Sequence, residues 1–280
     1  MRAHRVFERM LQNPHMEGPG CILTQAGSII ITSTGKQYFA KIGNREDTDR
    51  YYGEYESLNT IAIAAPGLAP KATGYHIINS ETKELDSDLK KPCLLSEYKD
   101  IGPLDSDTAK ALAKRLATEL HTYKSLGSFG FRVPTYCGRT RQENEWCKSW
   151  PEYFDALIGD LEDQLHAYRP EYKALSKQVT SSGTVGVDRA TGAPVIIDPA
   201  CFFGHNEFDL ALSRLLGGMP ESFYNTYHEY IRWSEPEEEY VMRQELYQLY
   251  HCLNHLLMYG GVYAEGARKK MAWLLKVVPN

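Results

Sequence analysis

The sequence lacks the features that mark secreted, membrane-spanning and nucleic-acid-binding proteins. Its six cysteines are scattered without a Cys-x-x-Cys pair, which argues against a disulfide framework or a zinc site and favours a reducing compartment. No apolar run approaches the roughly 18–20 residues that span a bilayer, and residues 1–20 lack the apolar core of a signal peptide. No basic tract interleaves with aromatic residues, so nucleic acid is not an expected partner. We therefore expect a cytoplasmic protein without a membrane segment.

The chain is long enough, at 280 residues, to form two lobes, and its net charge of −5 is ordinary for a globular protein. Its first hundred residues are patterned mostly as strands, whereas helical spacing dominates the rest. These patterns predict an α+β fold with a small β-rich lobe over residues 1–99 and a larger helical lobe over residues 100–280. The join is expected near residues 98–103.

Turns and β-branched runs define the predicted first lobe. Residues 22–32 form one such run, which Gly27 interrupts, and residues 37–42 form the next. They predict a hairpin with Gly18 and Gly20 at its first bend. The further predicted elements of this lobe are a helix over residues 48–64 and strands over residues 75–78 and 92–98.

Apolar residues at helical spacing define the predicted second lobe. The predicted helices cover residues 105–126, 150–168, 220–231 and 236–259, and a loop covers residues 127–144. Residues 195–197 are β-branched and predict a buried strand that ends on Asp198. The polar cluster 204–209 then leads into a predicted helix over residues 210–216, with Asp209 as its cap.

Three residues of this pattern could belong to a ligand-binding site. A glycine-rich bend lets backbone N–H groups approach phosphates, and Lys41, one strand later, can meet them as a point charge. Glu54 on the next helix can pair with Lys41 and fix its direction. Asp198 follows a buried strand, where open α/β folds place their ligand chemistry. Each residue also has an ordinary explanation, because strand lysines are usually solvated and Asp often caps turns.

The histidines carry weaker signals. His251 and His255 lie one helical turn apart, but HExxH is absent and their neighbours are Leu and Tyr, which favours packing over metal binding. His121 lies on a helix of Leu and Ala and is expected to be structural. No GxSxG motif indicates a serine hydrolase.

Ten stretches together resemble one family, the fructosamine/ketosamine-3-kinases, whose fold is like that of aminoglycoside phosphotransferases and protein kinases. They cover nearly the whole chain in order: residues 18–22, 38–41, 53–58, 94–98, 129–131, 142–146, 198–200, 203–211, 217–218 and 249–255. The resemblance implies ATP-dependent phosphorylation of the 3-hydroxyl of a ketosamine, a ribulosamine or fructosamine on a glycated protein or small molecule. This reaction leads to repair of the glycated amine.

The resemblance also implies roles for individual residues, with ATP and Mg²⁺ as cofactors. Lys41 would bind phosphate with Glu54 as its partner, and Asp198 would be the magnesium ligand. The other implied nucleotide residues are Gly18, Gly20 and Cys21 in the glycine-rich loop, where family members often carry a redox-sensitive cysteine, and Glu97, Tyr98 and Lys99 in the adenine-binding hinge. The residues implied on the substrate side are Trp146, Trp150, His205, Glu207 and Asp209.

The chain departs from the family at its catalytic loop, His-Gly-Asp-x-x-x-x-Asn. The matching place, residues 174–188, contains neither the His nor the Asp, and Thr184 stands at the Asn position. Neither Ser182 nor Thr184 can act as a base near neutral pH. Asp188 lies past the loop and is expected to point elsewhere. The expectation is an impaired ketosamine kinase; the alternatives are a nucleotide-binding pseudokinase or scaffold, and a kinase-like enzyme acting on another small alcohol.

Overall fold

The computed structural model describes residues 2–13, 16–78, 91–167 and 185–277. Its strands are β1 (Leu23–Ala26), β2 (Ile29–Thr32), β3 (Gln37–Ile42), β4 (Ala72–Ile78), β5 (Lys91–Glu97), β6 (Ile101–Gly102), β7 (Thr135–Cys137), β8 (Thr140–Gln142), β9 (Val185–Asp188) and β10 (Ala193–Ile196). Its helices are α1 (Arg2–Leu11), α2 (Thr48–Ala64), α3 (Ser106–Arg115), α4 (Trp150–Ala167), α5 (Asn206–Leu216), α6 (Glu221–Tyr230), α7 (Tyr240–Tyr259) and α8 (Ala264–Val277). The predicted α+β arrangement is confirmed. The part of the catalytic-loop region up to Thr184, which includes Ser182, lies outside the described residues.

The first sheet contains five antiparallel strands in the order β1-β2-β3-β5-β4. Because side chains alternate along a strand, Tyr38 and Ala40 of β3 face one side of the sheet and Lys41 faces the other. Helix α1, which the sequence patterns did not predict, covers the first side with the fully buried side chains of Phe7 and Leu11. Lys41 therefore lies on the side of the sheet that α1 does not cover.

The hairpin prediction needs a correction. Residues 22–32 are not one strand, because the chain reverses at Gly27, where φ is +61°, and pairs β1 with β2. Gly18 and Gly20 lie in a turn that precedes β1, so the first bend between strands is at Gly27. A positive φ costs glycine little, and this freedom permits the tight reversal.

Helix α2 links the sheet to the helical remainder, and its predicted bounds are confirmed. Leu58 and Ile61 are buried in a core that also contains Leu94 of β5, Leu112 of α3 and Tyr227 of α6. Burying each such side chain stabilises the fold by about 1.5–3 kcal/mol. The core therefore fixes α2 between the two parts of the chain.

Two further predictions are corrected in the helical remainder. The helix predicted over residues 105–126 ends early, because the His121 N–H bonds the Leu116 carbonyl (2.8 Å) at the end of a π-helical turn, Leu116–Leu120. The predicted loop 127–144 contains the short β7–β8 hairpin. The predicted buried strand is β10, which pairs with β9 and ends two residues before Asp198.

Aromatic residues form the main core of the helical part. The clustered rings are Tyr153 and Phe154 of α4, Phe208 of α5, and Tyr247 and Tyr250 of α7, with Trp150 packed against them. Their edge-to-face contacts, such as that of Phe154 with Tyr247 at 5.3 Å, hold the three helices together. Within the described ranges, no helix combines the length and the apolar character needed to cross a bilayer.

His251 and His255 pack against aromatic rings, as predicted, and the burial of His251 predicts that the folded state is sensitive to acid. His251 is 3% exposed, and neither ring nitrogen has a hydrogen-bond partner among the described residues. Burial, assisted by the nearby His255, lowers the pKa of His251 to about 4. Above pH 6.5 the imidazole is neutral in both the folded and unfolded states. Between pH 6.5 and 4 only the unfolded chain takes up the proton, so the folded state loses stability as pH falls.

We expect the His251→Leu variant to lose this part of the pH dependence. Between pH 7 and pH 4, the unfolding free energy of the variant should fall by about 3 kcal/mol less than that of the parent. This is the energy that corresponds to lowering the pKa of His251 from 6.5 to about 4. Urea titrations at a series of pH values measure how the unfolding free energy changes with pH, independently of any change in absolute stability. If the variant and the parent lose stability equally as pH falls, His251 is not the source of the pH dependence.

Candidate functional site

Lys41 occupies the centre of a cluster of three charged side chains. Its Nζ lies 2.8 Å from both carboxylate oxygens of Glu54 and 2.7 Å from Oδ1 of Asp198. The Lys41 and Glu54 side chains are largely buried, whereas that of Asp198 is 63% exposed. The predicted phosphate-binding lysine, its predicted glutamate partner and the predicted magnesium ligand therefore come together, although 157 positions separate Lys41 from Asp198.

Glu54 is held in place by the close packing of α2. A Cβ on the preceding residue, Gly53, would collide with the backbone oxygen of Pro134. Only glycine lets the helix approach the segment leading into β7 this closely. On the same helix, Ser57 Oγ accepts a hydrogen bond from the Cys201 N–H (2.9 Å). The helix thus carries Glu54 and also anchors the chain that follows Asp198.

Asp198 has an unusual backbone conformation. Its φ is +51°, in the left-handed region that Asp tolerates better than most residues with a side chain. Before it, the Ile196 N–H donates to the Leu68 carbonyl (2.8 Å), and after it, Cys201 is tied to Ser57. These two anchors present the carboxylate to Lys41 while leaving most of it in solvent.

The electrostatics of the cluster keep Lys41 protonated. Burial by itself lowers the pKa of Lys41, but the charges of Glu54 and Asp198 outweigh it, and the pKa is raised. Burial raises the pKa of Glu54 more than the Lys41 charge lowers it. With both carboxylates ionised, the cluster carries one more negative than positive charge, which favours an additional cation.

The predicted hinge residues lie where β5 ends. The backbone N–H groups of Glu97 and Tyr98 donate to the Lys71 and Gln37 carbonyls, at 2.9 and 3.3 Å. Among the described residues, the Lys99 N–H has no such acceptor. Of the three hinge N–H groups, the Lys99 N–H is thus the one for which the described part of the chain shows no backbone acceptor.

Lys99 and Asp188 form a second charged pair beside the hinge. Lys99 Nζ lies 2.8 Å from Oε1 of Glu97 and 3.2 Å from Oδ2 of Asp188. Asp188 is the last residue of β9, and it also accepts hydrogen bonds from the Ala190 N–H and the Thr191 hydroxyl. Its carboxylate is committed to this turn, in agreement with the expectation that Asp188 points away from the Asp198 cluster.

The two glycine turns lie at opposite ends of the first hairpin. The turn at Gly27 is close to Lys41, because the Ala40 N–H donates to the Ser28 carbonyl (2.7 Å). The turn containing Gly18, Gly20 and Cys21 lies at the other end, where the Ser33 N–H donates to the Ile22 carbonyl (2.8 Å). Sequence reasoning overlooked the Gly27 turn, although the interruption of a β-branched run by glycine was its signal.

Three of the residues implied on the substrate side are buried or partly buried and make hydrogen bonds within the helical part. His205 is bonded through its two ring nitrogens to Tyr247 and Ser234 (2.8 and 2.7 Å), and the Trp150 indole N–H donates to the Tyr247 hydroxyl (2.9 Å). Glu207 has a fully buried side chain and pairs with Arg243 at 2.7 Å. Their hydrogen-bonding capacity is used within the protein.

The other two residues implied on the substrate side have exposed side chains. Trp146 is 49% exposed. Asp209 lies in the first turn of α5, which begins at Asn206, so Asp209 does not cap a helix starting at residue 210 as predicted. Its carboxylate instead pairs with His121 (3.1 Å), which also bonds the Tyr227 hydroxyl (2.7 Å), as expected of a structural histidine.

The chain is similar in sequence to ketosamine kinases over most of its length. A family model described as fructosamine kinase matches residues 10–178 and 181–277. The chain is 28% identical to the probable ketoamine kinase of Synechocystis sp., over 92% of this chain and 88% of that protein. It is 29% identical to the ketosamine-3-kinase of Mus musculus, over 88% of this chain and 89% of that protein.

Solved structures show the same fold. The crystal structure of a candidate fructosamine-3-kinase from Haemophilus somnus superposes with a TM-score of 0.71 at 22% identity, covering 96% of both chains. A second, from Thermobifida fusca, superposes with a TM-score of 0.66 at 20% identity, covering 92% of this chain and 94% of that chain. The kinase-like fold implied by the sequence resemblance is thereby confirmed.

Proposed function

This chain belongs to the fructosamine kinase family, and we propose that it is a ketosamine 3-kinase that binds ATP but has impaired phosphoryl transfer. Its substrates would be ribulosamines or fructosamines on glycated proteins or small amines. The observation that carries the proposal is the cluster of Lys41, Glu54 and Asp198. The β-rich lobe (1–99) and the helical lobe (100–280) would meet near residues 98–103 with the nucleotide between them.

The Lys41 ammonium is suited to bind a phosphate. It has three N–H donors, two directed at Glu54 and one at Asp198. A phosphate oxygen can take the donor that now bonds Asp198, while Glu54 retains the other two and keeps the side chain in place. The raised pKa of Lys41 keeps that donor charged across the physiological range.

Asp198 fits a magnesium ligand. Magnesium prefers hard oxygen donors with open positions for water and phosphate, and the Asp198 carboxylate is 63% exposed. In the described part of the chain, its Oδ2 makes no hydrogen bond or ion pair. A magnesium ion bound there with ATP would neutralise phosphate charge. Asp198 itself would hold the ion opposite Lys41, and its two backbone anchors would keep the carboxylate in position.

The hinge would bind adenine through the backbone. Because the N–H groups of Glu97 and Tyr98 are used within the sheet, we propose the Lys99 N–H as the donor to the adenine ring. The Lys99 side chain, held by Glu97 and Asp188, would fix the peptide that carries this donor. Gly18, Gly20 and Cys21 lie at the hinge end of the hairpin, so the proposed contacts of this turn are with the adenosine end of ATP.

Catalysis would be impaired because the chain has no catalytic loop. A positioned general base contributes about 10²–10⁴ to the rate, and the chain has no His-Gly-Asp-x-x-x-x-Asn sequence. The match to the family model is also interrupted at residues 179–180, within the region where the loop is missing. The second candidate function, a nucleotide-binding pseudokinase, is favoured by the same contrast between a complete Lys41 cluster and an absent loop.

Two measurements on the native chain test the proposal and separate the candidates. A rise in melting temperature with Mg–ADP, together with slow phosphorylation of a ribulosamine, is the expected result for an impaired kinase. Stabilisation by nucleotide without any turnover would support the pseudokinase. The absence of both effects would refute both functions.

We expect the Lys41→Met variant to lose most of its affinity for Mg–ADP. Charge-assisted hydrogen bonds contribute about 1.5–3 kcal/mol each, so the dissociation constant should rise by about 10–100-fold. Isothermal titration with Mg–ADP measures it. Lys270→Met is the matched control, because Lys270 is similarly buried and bonds Glu245 (2.9 Å) in the helical part. Equal losses in the two variants would contradict a specific role for Lys41.

A further inference from the structure

Gln142 and Asn144 belong to one of the stretches that resemble the family, and the proposed function gives them no role. Both side chains are buried, at 2% and 3% exposed. Gln142 bonds the hydroxyls of Thr135 and Tyr250, at 3.2 and 3.0 Å. Asn144 donates to the same Thr135 hydroxyl (2.7 Å) and accepts a hydrogen bond from the Tyr153 hydroxyl (2.7 Å). The two amides therefore connect β7 to helices α4 and α7.

The β7–β8 hairpin, fixed in this way, is a surface against which α2 packs. A Cβ on Gly53 of α2 would lie 2.4 Å from the backbone oxygen of Pro134 and 3.2 Å from Cα of Thr135. Arg141 of β8 bonds the carboxylate of Asp49, in the first turn of α2, at 2.5 Å. The hairpin thus contacts the first half of α2 at two points that are one helical turn apart.

Glu54 follows Gly53 directly, so the position of α2 at this contact decides where the Glu54 carboxylate lies. Glu54 accepts two hydrogen bonds of 2.8 Å from Lys41, which is on strand β3 of the sheet. Helix α2 also shares an apolar core with the sheet, but apolar packing is not directional and does not by itself fix the rotation of a helix. The close contact with the hairpin and the ion pair at the helix start are directional. They can therefore fix the Glu54 carboxylate relative to Lys41.

Resting on the proposed nucleotide-binding role of Lys41, we propose that Gln142 and Asn144 are positioning residues for the Lys41–Glu54 pair. They act through the hairpin and α2, and they touch neither the nucleotide nor the sugar. The hairpin is rigid because its buried amides are bonded to two helices of the aromatic core, so α2 keeps one position. Loosening the hairpin lets Glu54 move away from Lys41 and weakens phosphate binding by the lysine.

Asn144→Gly tests the proposal, because it removes the amide while keeping the backbone: φ of Asn144 is +60°, which glycine adopts readily. Isothermal titration on the full chain should show a dissociation constant for Mg–ADP that is raised by about tenfold, a typical coupling within one hydrogen-bonded network. Gln142→Leu should have an effect of similar size. Gln244→Leu is the matched control, because Gln244 is also buried (5% exposed) but bonds the Glu207 backbone of α5 (3.0 Å) instead of the hairpin. The affinity of this variant for Mg–ADP should be unchanged.

A second background separates positioning from a general loss of structure. In a Glu54→Gln chain the carboxylate that holds Lys41 is already gone, so adding Asn144→Gly should change the Mg–ADP dissociation constant by less than about twofold. A further loss of about tenfold in this background would show that Asn144 does not act through Glu54. Parent-like affinity in Asn144→Gly alone would show that it has no effect on the site. Either result overturns the proposal.

Hydrogen exchange in α2 distinguishes a failure of this proposal from a failure of the proposed function. The backbone amides of residues 48–57 should exchange faster in Asn144→Gly than in the parent, whereas in Gln244→Leu they should exchange at the parent rate. A native chain that binds no Mg–ADP would refute the proposed function, and the exchange rates would then test the positioning role by themselves. Equal exchange in the parent and in Asn144→Gly would overturn it.

Discussion

Restoring a His-Gly-Asp-x-x-x-x-Asn loop, with its preceding strand, in place of residues 174–184 is expected to raise ketosamine turnover by about 10²–10⁴. Among the described residues next to the missing loop, Asp188 is held by Lys99 and the turn after β9, so it is not placed to accept the hydroxyl proton. The Lys41–Glu54–Asp198 cluster is already assembled, and we expect the inserted Asp to supply the base that the loop lacks. Steady-state rates with a ribulosamine and ATP measure the gain.

The control for this experiment is the same insert with its Asp replaced by Asn. It restores the length of the chain and the strand but not the base, so it should bind Mg–ADP and stay near the rate of the native chain. A native chain that already turns over as fast as the restored one would disprove the proposed impairment. Equal gains from the Asp and Asn inserts would show that packing, and not the base, had been missing.

The Arg243→Met variant is expected to lower the unfolding free energy by about 3–5 kcal/mol, the usual cost of leaving a buried charge without its partner. Arg243 contacts both carboxylate oxygens of Glu207 and donates to the backbone oxygens of Ser234 and Pro236. Burial favours protonation of Glu207, but Arg243 outweighs it and lowers the pKa of the Glu207 carboxyl. Urea unfolding near neutral pH measures the loss.

Arg268→Met is the matched control. Arg268 pairs with Glu265 on the exposed face of α8, where both side chains are at least half exposed. Exposed pairs contribute little, so the change should stay within about 0.5 kcal/mol. If the two variants lose similar stability, Glu207 does not depend on Arg243, and the interior role given to Glu207 is wrong.

Local sequence patterns predicted most of the helices and strands whose formation depends on neighbouring residues along the chain. Helix α2 was predicted with its observed bounds, because its buried positions recur at helical spacing. The patterns failed where a distant partner decides the outcome. The helix after residue 105 ends early at the π-helical turn before His121, whose ring is bonded to Tyr227 and Asp209.

In the candidate site, too, local patterns predicted some features and distant contacts decided others. The pairing of Lys41 with Glu54 was predicted from the sequence, but the contact of Lys41 with Asp198 across 157 positions exists only in the folded chain. Trp146 and Trp150 were equivalent in the sequence, since both are large aromatic residues in one stretch. Their burial differs because Trp150 begins α4 and meets the aromatic core, whereas Trp146 precedes the helix and faces solvent.

The sequence by itself determined the family, the α+β fold and the absence of the catalytic loop, because each depends on residue identity and order along the chain. The tertiary structure decided which charges pair across distant segments, which turn lies beside Lys41 and which aromatic residues face solvent. These properties depend on distance and burial between segments far apart in the chain, and no local pattern of residues specifies them.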